Sequence, residues 1–147
     1  MSGINYAAIA QGIKTTLDTN LATRAPRPFV AVEEEIANRE LWVGIYAQNR
    51  GAPADQQAVT IGRTRVLVQF NLWVWAFSME LAAAFQRRDD LIGDCEVALM
   101  LDRTLNGTVN AMWLEGGRMA RADDPANLGR FLAGGEIIAV AEVVASN

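Results

Sequence analysis

The sequence contains no histidine and a single cysteine, Cys95. Without histidine there is no imidazole to act as a general base, no Ser-His pair and no ordinary zinc site. One cysteine cannot form an internal disulfide, and its neighbours place it on a helix, where we expect a small buried side chain rather than a nucleophile. The composition therefore disfavours hydrolase and zinc-enzyme chemistry, and we expect neither enzymatic activity nor a cofactor.

Basic residues and long apolar runs are also scarce. Lys and Arg number 13 against 17 Asp and Glu, a formal net charge of −4 at pH 7, whereas nonspecific DNA binding needs a basic surface that displaces phosphate counterions. No apolar run approaches the roughly twenty residues that cross a bilayer. The N-terminus lacks the basic flank and apolar centre of a signal peptide. We expect a protein made in a cytoplasm, without a membrane partner.

What is present suits one domain with a core of its own, because 51% of the 147 residues are hydrophobic. We therefore treat residues 1–147 as a single domain. Helical spacing predicts an N-terminal amphipathic helix over Asn5–Leu21, capped by its first residue. Short strands are predicted at Phe29–Val32 and Leu41–Tyr46. The aperiodic segment Gln48–Ala58 contains both Gly and Pro, which predicts a mobile loop at about residues 48–58.

The segment Arg63–Phe77 carries the strongest structural signal in the chain. Its even-numbered positions form one apolar face with a period of two, which predicts a strand far longer than the usual five or six residues. That apolar face consists of Val66, Val68, Phe70, Leu72 and Val74. The opposite face starts with Arg65, Gln69 and Asn71 and ends with Trp73 and Trp75. Two tryptophans on an outward face suggest a second surface that covers them, either a neighbouring subunit or a helix of the same chain.

After the long strand the apolar period becomes helical, and Ser78–Asp102 is expected to form one helix or two. We place Asp89 and Asp90 near the start of the stronger helix, where carboxylates suit the positive end of the helix dipole. The stop signal at its far end is Asn106-Gly107. The buried face of this helix is predicted to carry Leu91, Ile92, Cys95, Ala98 and Leu99.

The last third of the chain is predicted to hold two strands separated by an irregular stretch. Thr108–Glu115 is expected to be a strand, Arg118–Arg130 has the composition of a loop, and Gly134-Gly135 precedes a final alternating strand. The order of elements favours an α+β fold. Its mostly antiparallel sheet has a long central strand and is packed by the N-terminal helix and a second helix.

The candidate chemical motifs have plainer explanations. Asp90 and Asp94 share a helical face, so they suit a divalent cation or an acid pair. A solvated face beside Arg87 and Arg88 is the interpretation that we favour. The two Gly-Gly pairs lack the Gly-Lys-Ser/Thr ending of a phosphate-binding loop and are read as turns.

The remaining tryptophans, Trp42 and Trp113, are expected to fill space between the helices and the sheet. A platform that stacks single-stranded bases is a further option for Trp73 and Trp75. The basic groove that such platforms need is missing, so we favour a packing or interface role for these two side chains.

The layout of the whole chain carries a resemblance. An amphipathic helix, a Trp-bearing strand, a loop and a long alternating strand precede a helix led by Arg87-Arg88-Asp89-Asp90, and Leu105-Asn106-Gly107 leads toward the last hairpin. This arrangement resembles the tail terminator proteins of long-tailed bacteriophages and related tail-like particles. The resemblance covers most of the chain and consists of layout and apolar spacing rather than a signature motif. The Trp113 strand and Arg118–Arg130 depart from it.

The resemblance implies a structural virion protein, assembled in the host cytoplasm, that forms a ring at the head-proximal end of the tail tube. Such a ring, most often a hexamer, ends tube polymerisation and offers a docking surface to the head or neck. The implied partners are further copies of the chain, the tail tube protein and a head-completion or neck protein. DNA is implied only as cargo passing through the lumen, which an acidic balance suits.

The nearest alternative is a head-completion, neck or tail-tube-like structural protein. A small-ligand binding module and a small enzyme are more distant alternatives. On the ring interpretation, the expected subunit contacts are Arg63, Arg65, Trp73 and Trp75. The expected contacts with the tube or neck, on the predicted loop, are Arg50, Asp55 and Gln56.

Overall fold

The computed structural model describes residues 4–33, 41–51, 63–123 and 131–146. Within these ranges the elements are α1 Tyr6–Asn20, β1 Phe29–Val32, β2 Leu41–Gly51, β3 Arg63–Ser78, α2 Leu81–Met100, β4 Ala111–Leu114, β5 Met119–Asp123 and β6 Phe131–Ser146. The strands form one six-stranded sheet in the order β1-β2-β3-β6-β4, with β5 also paired to β6. β1 runs parallel to β2, and every other described pair is antiparallel. The predicted α+β fold is confirmed.

The long strand β3 lies at the centre of the sheet, between β2 and β6. Leu72 pairs with Ile45 of β2 on one side and with Ile137 of β6 on the other. All three side chains are buried in one core cluster. The even-numbered face of β3 therefore lies on the core, as the alternating pattern predicted, and burial of its apolar side chains is the main stabilising contribution of this strand.

The helix α1 packs its apolar face on this same side of the sheet. Ile9, Ile13 and Leu17 recur at intervals of four and are fully or almost fully buried. The side chain of Asn5 accepts a hydrogen bond from the backbone N–H of Ala8 at 3.0 Å, which confirms the predicted N-cap. Neither described helix is both long and apolar enough to span a lipid bilayer.

The second helical region is one continuous helix, α2, rather than two. It begins at Leu81, so Asp89 and Asp90 lie in its middle and not near its start, and the predicted stabilisation of these carboxylates by the helix dipole is wrong. It ends at Met100, before the expected stop at Asn106-Gly107. The buried residues of its second half are the five that the spacing predicted, Leu91, Ile92, Cys95, Ala98 and Leu99.

The connection from α2 to β4 is a tight turn with three successive residues at positive φ. These are Leu105, Asn106 and Gly107, at 50°, 61° and 79°. Leu105 is nevertheless fully buried, because the turn drives its side chain into the core. A left-handed conformation costs a non-glycine residue roughly 1 kcal/mol or more, so burial of Leu105 offsets this local cost.

Two segments expected to be irregular contain strands. β2 continues to Gly51, so residues 48–51 of the predicted loop are strand, while residues 52–58 lie outside the described residues. β5 occupies 119–123 of the predicted Arg118–Arg130 loop, and 124–130 are not described. In both cases a long neighbouring strand offers ladder hydrogen bonds, which outweigh weak intrinsic β-propensity.

The strands of the last third also differ from prediction at their ends. β4 spans only Ala111–Leu114 within the expected Thr108–Glu115. β6 begins at Phe131, so Gly134 and Gly135 lie inside the strand rather than before it.

A β-bulge separates β4 from β5 along the edge of β6. Leu114 pairs with Ala139, and Met119 pairs with Gly135. The chain therefore advances five residues from β4 to β5 while β6 advances only four, so the β4–β5 side contains one extra residue. The backbone N–H of Glu115 donates to the carbonyl of Ile138, and the Ile138 N–H donates to the carbonyl of Gly116. This places the extra residue at Glu115-Gly116, where a bulge bends the edge and interrupts regular pairing.

Candidate functional site

The two faces of the sheet are covered differently. Both described helices pack on the face that carries Leu72. Trp73 and Trp75 occupy alternate positions of β3 and lie on the opposite face, as does Glu136, the register partner of Trp73. Neither described helix lies on this opposite face, which we call the tryptophan face. Helix packing within the chain, one of the two expectations for these tryptophans, is therefore wrong for the described residues.

The two indoles stack on each other with nearly parallel rings, and we call this pair the tryptophan plate. The ring centroids of Trp73 and Trp75 are 5.6 Å apart with an interplanar angle of 13°. The plate is positioned from below by Gly134, the register partner of Trp75. A Cβ atom at Gly134 would clash with the Trp75 ring, so only glycine allows the indole to lie directly on β6. Both indoles remain half-buried.

A polar network borders this plate. The carboxylate of Glu136 accepts a hydrogen bond from Asn71 Nδ2 at 2.6 Å and from Arg118 Nε at 3.3 Å. Gln69 Nε2 in turn donates to Asn71 Oδ1 at 2.9 Å. Glu136 is only 6% exposed, and a buried carboxylate is tolerated where hydrogen bonds and an opposite charge compensate its lost hydration.

Arg118 links the network to the plate. Its guanidinium carbon lies 5.3 Å from the centroid of the Trp73 ring, within cation–π range. The same side chain pairs with Glu136, yet it stays 75% exposed. Arg118 therefore presents a positive charge to solvent at the border of an aromatic surface.

The other two tryptophans also lie on the tryptophan face, so the expectation that they fill space between helices and sheet was wrong. Trp42 is the register partner of Trp75. Its side chain is buried but does not belong to the core cluster. The centroids of the Trp42 and Phe29 rings are 4.9 Å apart. Trp113 is half-buried and donates from Nε1 to Glu115 at 3.1 Å. The face on which each of these two side chains lies is set by the alternation of residues along its strand.

The structure brings Trp73 and Trp75 together, but the other proposed subunit contacts are less defined. Arg63 and Arg65 occupy β3 positions of the same parity as the tryptophans, at the far end of the strand. Their backbones pair with Ser146 and Val144 of β6. Their side chains lie outside the described part of the structure.

The proposed tube or neck contacts lie elsewhere. Arg50 is exposed and pairs with Val68, on the helix side of the sheet, because a register shift between Ala47 and Asn49 changes the strand parity. It borders a hollow of about 680 Å³ lined by Tyr6, Ala47, Gln48, Arg50 and Val68. Asp55 and Gln56 lie outside the described residues.

Sequence reasoning missed Arg118 and Glu136. Arg118 lies in a segment whose composition predicts a loop, and Glu136 is a single charged residue among the apolar residues of the last strand. One signal was available: Asn71 and Gln69 are polar residues within a very long strand, and such side chains need partners when a neighbour covers them. The identity of those partners depended on the register between β3 and β6.

The described residues offer little for chemistry. Cys95 is fully buried, and burial raises the pKa of its thiol to about 12, against the weaker lowering effect of Arg24. The reactive thiolate is therefore scarce at neutral pH. Within the described ranges no group of three or more His, Cys, Asp or Glu residues is placed to hold a metal ion.

Comparison with known proteins gives structural similarity alone. No family model and no curated protein sequence matches the chain. The sheath/tube terminator of PVC, an extracellular contractile injection system, in its extended state, is similar at 12% identity and a TM-score of 0.49, over 100% of this chain. This chain spans 59% of that terminator chain.

A second solved structure, which bears no functional name, is similar over 95% of this chain and 96% of its own length. The sequence identity is 13% and the TM-score 0.50. At this identity the likeness shows a shared fold and nothing about function.

Proposed function

We propose that the chain is a tail terminator protein of a phage or a tail-like particle. It forms a ring at the head-proximal end of the tail tube, ends tube polymerisation and provides a docking surface for the head or neck. The observation that carries the proposal is the tryptophan face, an aromatic sheet surface that no described helix covers. The proposal names the same class of protein as the PVC terminator, but its support comes from this chain.

The composition of the tryptophan face supports a protein partner. Trp, Tyr and Arg are the side chains most enriched at the energetic centres of protein interfaces. Trp73 contacts both Trp75 and Arg118 here. Both indoles stay partly exposed beside polar residues, and an exposed apolar patch rimmed by polar residues marks an interaction site.

An enzymatic function is less well supported by the same residues. The chain has no histidine, and the thiol of Cys95, with a pKa of about 12, is buried in the core. Glu136 is engaged by Asn71 and Arg118 on the side of the plate. These contacts suit a structural role for Glu136, in which it fixes the positions of Asn71 and Arg118 beside the plate.

The proposal assigns two separate surfaces. Subunits of the ring contact each other through the tryptophan face, with Arg63 and Arg65 at its far end. Arg50, with Asp55 and Gln56, contacts the tube or the neck. Since Arg50 lies on the helix side of β2, its surface stays accessible when the tryptophan face is covered.

The test is the mass of the full chain in solution, measured by mass photometry and sedimentation velocity, with and without the tail tube protein of the same particle. We expect a hexameric ring, or a monomer that assembles only on tube ends. Trp73→Ser should abolish assembly while retaining the far-UV spectrum. Met79→Ser is the matched control, because Met79 is a 66% exposed apolar residue in the turn between β3 and α2.

Three outcomes separate the alternatives. A chain that stays monomeric and ignores tubes at every concentration would refute the terminator function and return the ligand-binding module to consideration. Rings that bind neck proteins but not tube ends would favour a head-completion or neck protein. Rings that form equally well with Trp73→Ser would place the subunit contact elsewhere.

A further inference from the structure

A second unusual surface lies on α2, on the solvent side of the helical layer. A single stripe along the helix and its C-cap is formed by residues that each lie three or four positions from another member, namely Asp90, Gly93, Asp94, Val97 and Leu101. All five are exposed. Val97 and Leu101 are 64% and 69% exposed, and Met100 beside them is 45% exposed. The α2 stripe is thus acidic in its first half and apolar in its second.

Gly93 is hard to explain in an isolated subunit. It lies inside a twenty-residue helix, where glycine costs about 1 kcal/mol relative to alanine. A Cβ atom at Gly93 would meet nothing within 4 Å, so packing among the described residues does not require glycine here. In contrast, a Cβ atom at Gly12 of α1 would clash with the carbonyl oxygen of Leu105. A glycine without an internal neighbour suits the close approach of another molecule.

The acidic half of the stripe contains one carboxylate that has no ion-pair partner among the described residues. Asp94 is bound by Arg24 at 2.7 Å and Asp89 by Arg88 at 2.9 Å. Asp90 makes no ion pair with any described residue. A hollow of about 470 Å³ opens beside it, lined by Arg24, Ala25, Asp89, Asp90, Gly93 and Asp94.

We infer that the α2 stripe of one copy receives the tryptophan face of the next copy, so that these two surfaces form the subunit contact. This inference rests on the proposed ring function, and it identifies the two surfaces that form each contact between subunits. The plate of Trp73 and Trp75 lies against the helix at Gly93, where the missing side chain lets the indoles approach. The exposed guanidinium of Arg118 meets Asp90, and Val97 with Leu101 covers the border of the plate.

Complementarity and position both support this pairing. The tryptophan face presents a positive group beside apolar rings, and the α2 stripe presents an unpaired negative group beside apolar side chains. The two surfaces lie on opposite layers of one subunit, so they can both be occupied at once. A contact between two different patches is heterologous and propagates head to tail, the kind of contact from which rings are built.

The first experiment is a charge exchange on the full chain. Asp90→Arg and Arg118→Glu should each weaken subunit association by roughly ten-fold or more in sedimentation and mass photometry. The combination of both should restore most of the lost affinity. Glu80→Arg, at the other end of α2, is the control reversal and should leave association unchanged. Because Arg118→Glu also disturbs Glu136, Arg118→Gln provides a milder version of the same loss.

The second experiment uses Gly93→Ala, which acts in opposite directions on folding and on assembly. The isolated subunit should melt at a higher temperature, since alanine is the better helix former, whereas ring formation should weaken by about ten-fold or more. Rings of wild-type affinity with both Gly93→Ala and Asp90→Arg would overturn this inference and leave the ring function intact. A wild-type chain that never assembles would instead refute the ring function itself.

Discussion

Glu136 illustrates how one residue is held on a sheet face without a covering helix. Its carboxylate is compensated by an amide on the neighbouring strand, Asn71, and by a long cation from the edge, Arg118. Arg118 in turn rests on Trp73, so charge and aromatic contacts share one side chain. Removing either partner would leave a buried carboxylate short of compensation, which costs more than the pair contributes.

The contribution of Asp102 to the stability of the fold should depend on pH. Hydrogen bonds from the Thr104 hydroxyl, and then from the Asn106 backbone N–H at 2.8 Å, hold the pKa of this carboxyl below its usual value. A lowered folded-state pKa stabilises the fold above the unfolded pKa of about 3.9, and this stabilisation is lost as the pH falls through the folded pKa.

We therefore expect Asp102→Asn to lower the Tm at pH 7 by roughly 2–4 °C, the size of about one net hydrogen bond in a domain of this length. The difference from wild type should shrink as the pH falls below about 4. Thermal melts between pH 3 and pH 7 measure it, with Asp89→Asn as the control. A difference that stays constant over this range would contradict the role given to the Asp102 charge.

At the scale of elements, pairing with a neighbouring strand determined whether segments of weak β-propensity form strands. Residues 48–51 and 119–123 have weak strand propensity, yet both form strands because β3 and β6 extend far enough to pair with them. The long alternating strand β3 is where pattern and structure agree throughout. The helix α2 was harder to delimit, because its first half buries little beyond Ala84 and so shows a weak amphipathic period.

The helix α1 packs closely against the turn that follows α2, and Gly12 lies at the point of contact. A Cβ atom at Gly12 would clash with the Leu105 carbonyl oxygen and the Thr108 side chain. Gly12→Ala should therefore lower the free energy of unfolding by about 1–2 kcal/mol, despite alanine's better helix propensity. Gly93→Ala is the matched helical substitution and should raise it in the dissociated subunit. Urea unfolding at low protein concentration compares the two, and an equal effect at both sites would contradict this account.

The whole molecule consists of two layers, with one sheet face packed under helices and the other covered by no described helix. The packed face contains the main core cluster. The other face carries all four tryptophans, in positions set by the pairing of β2, β3, β4 and β6. Trp73, Trp75 and Trp113 stay partly exposed, so a second molecule that buries them would link stability to assembly.

That linkage predicts a concentration-dependent melting temperature. Ring formation binds the folded state and not the unfolded chain, so the wild-type Tm should rise by roughly 3 °C for each tenfold increase in protein concentration. Trp73→Ser should show no such dependence, because it removes the contact. Differential scanning calorimetry over two decades of concentration makes the comparison, and a wild-type Tm independent of concentration would argue against a ring in this range.

By itself the sequence determined the fold class, the capped helix α1, the central strand β3 with its core face, and the burial of Cys95. These features follow from periodicity and capping, which are local properties of the chain. Tertiary structure alone decided the register of β3 against β6, which brought Glu136 to Asn71 and seated Trp75 on Gly134. It also decided which sheet face the helices cover, and the bulge that turned Arg50 away from the tryptophans. Pairing and layer packing join residues far apart in sequence, and a one-residue shift moves a side chain to the other face.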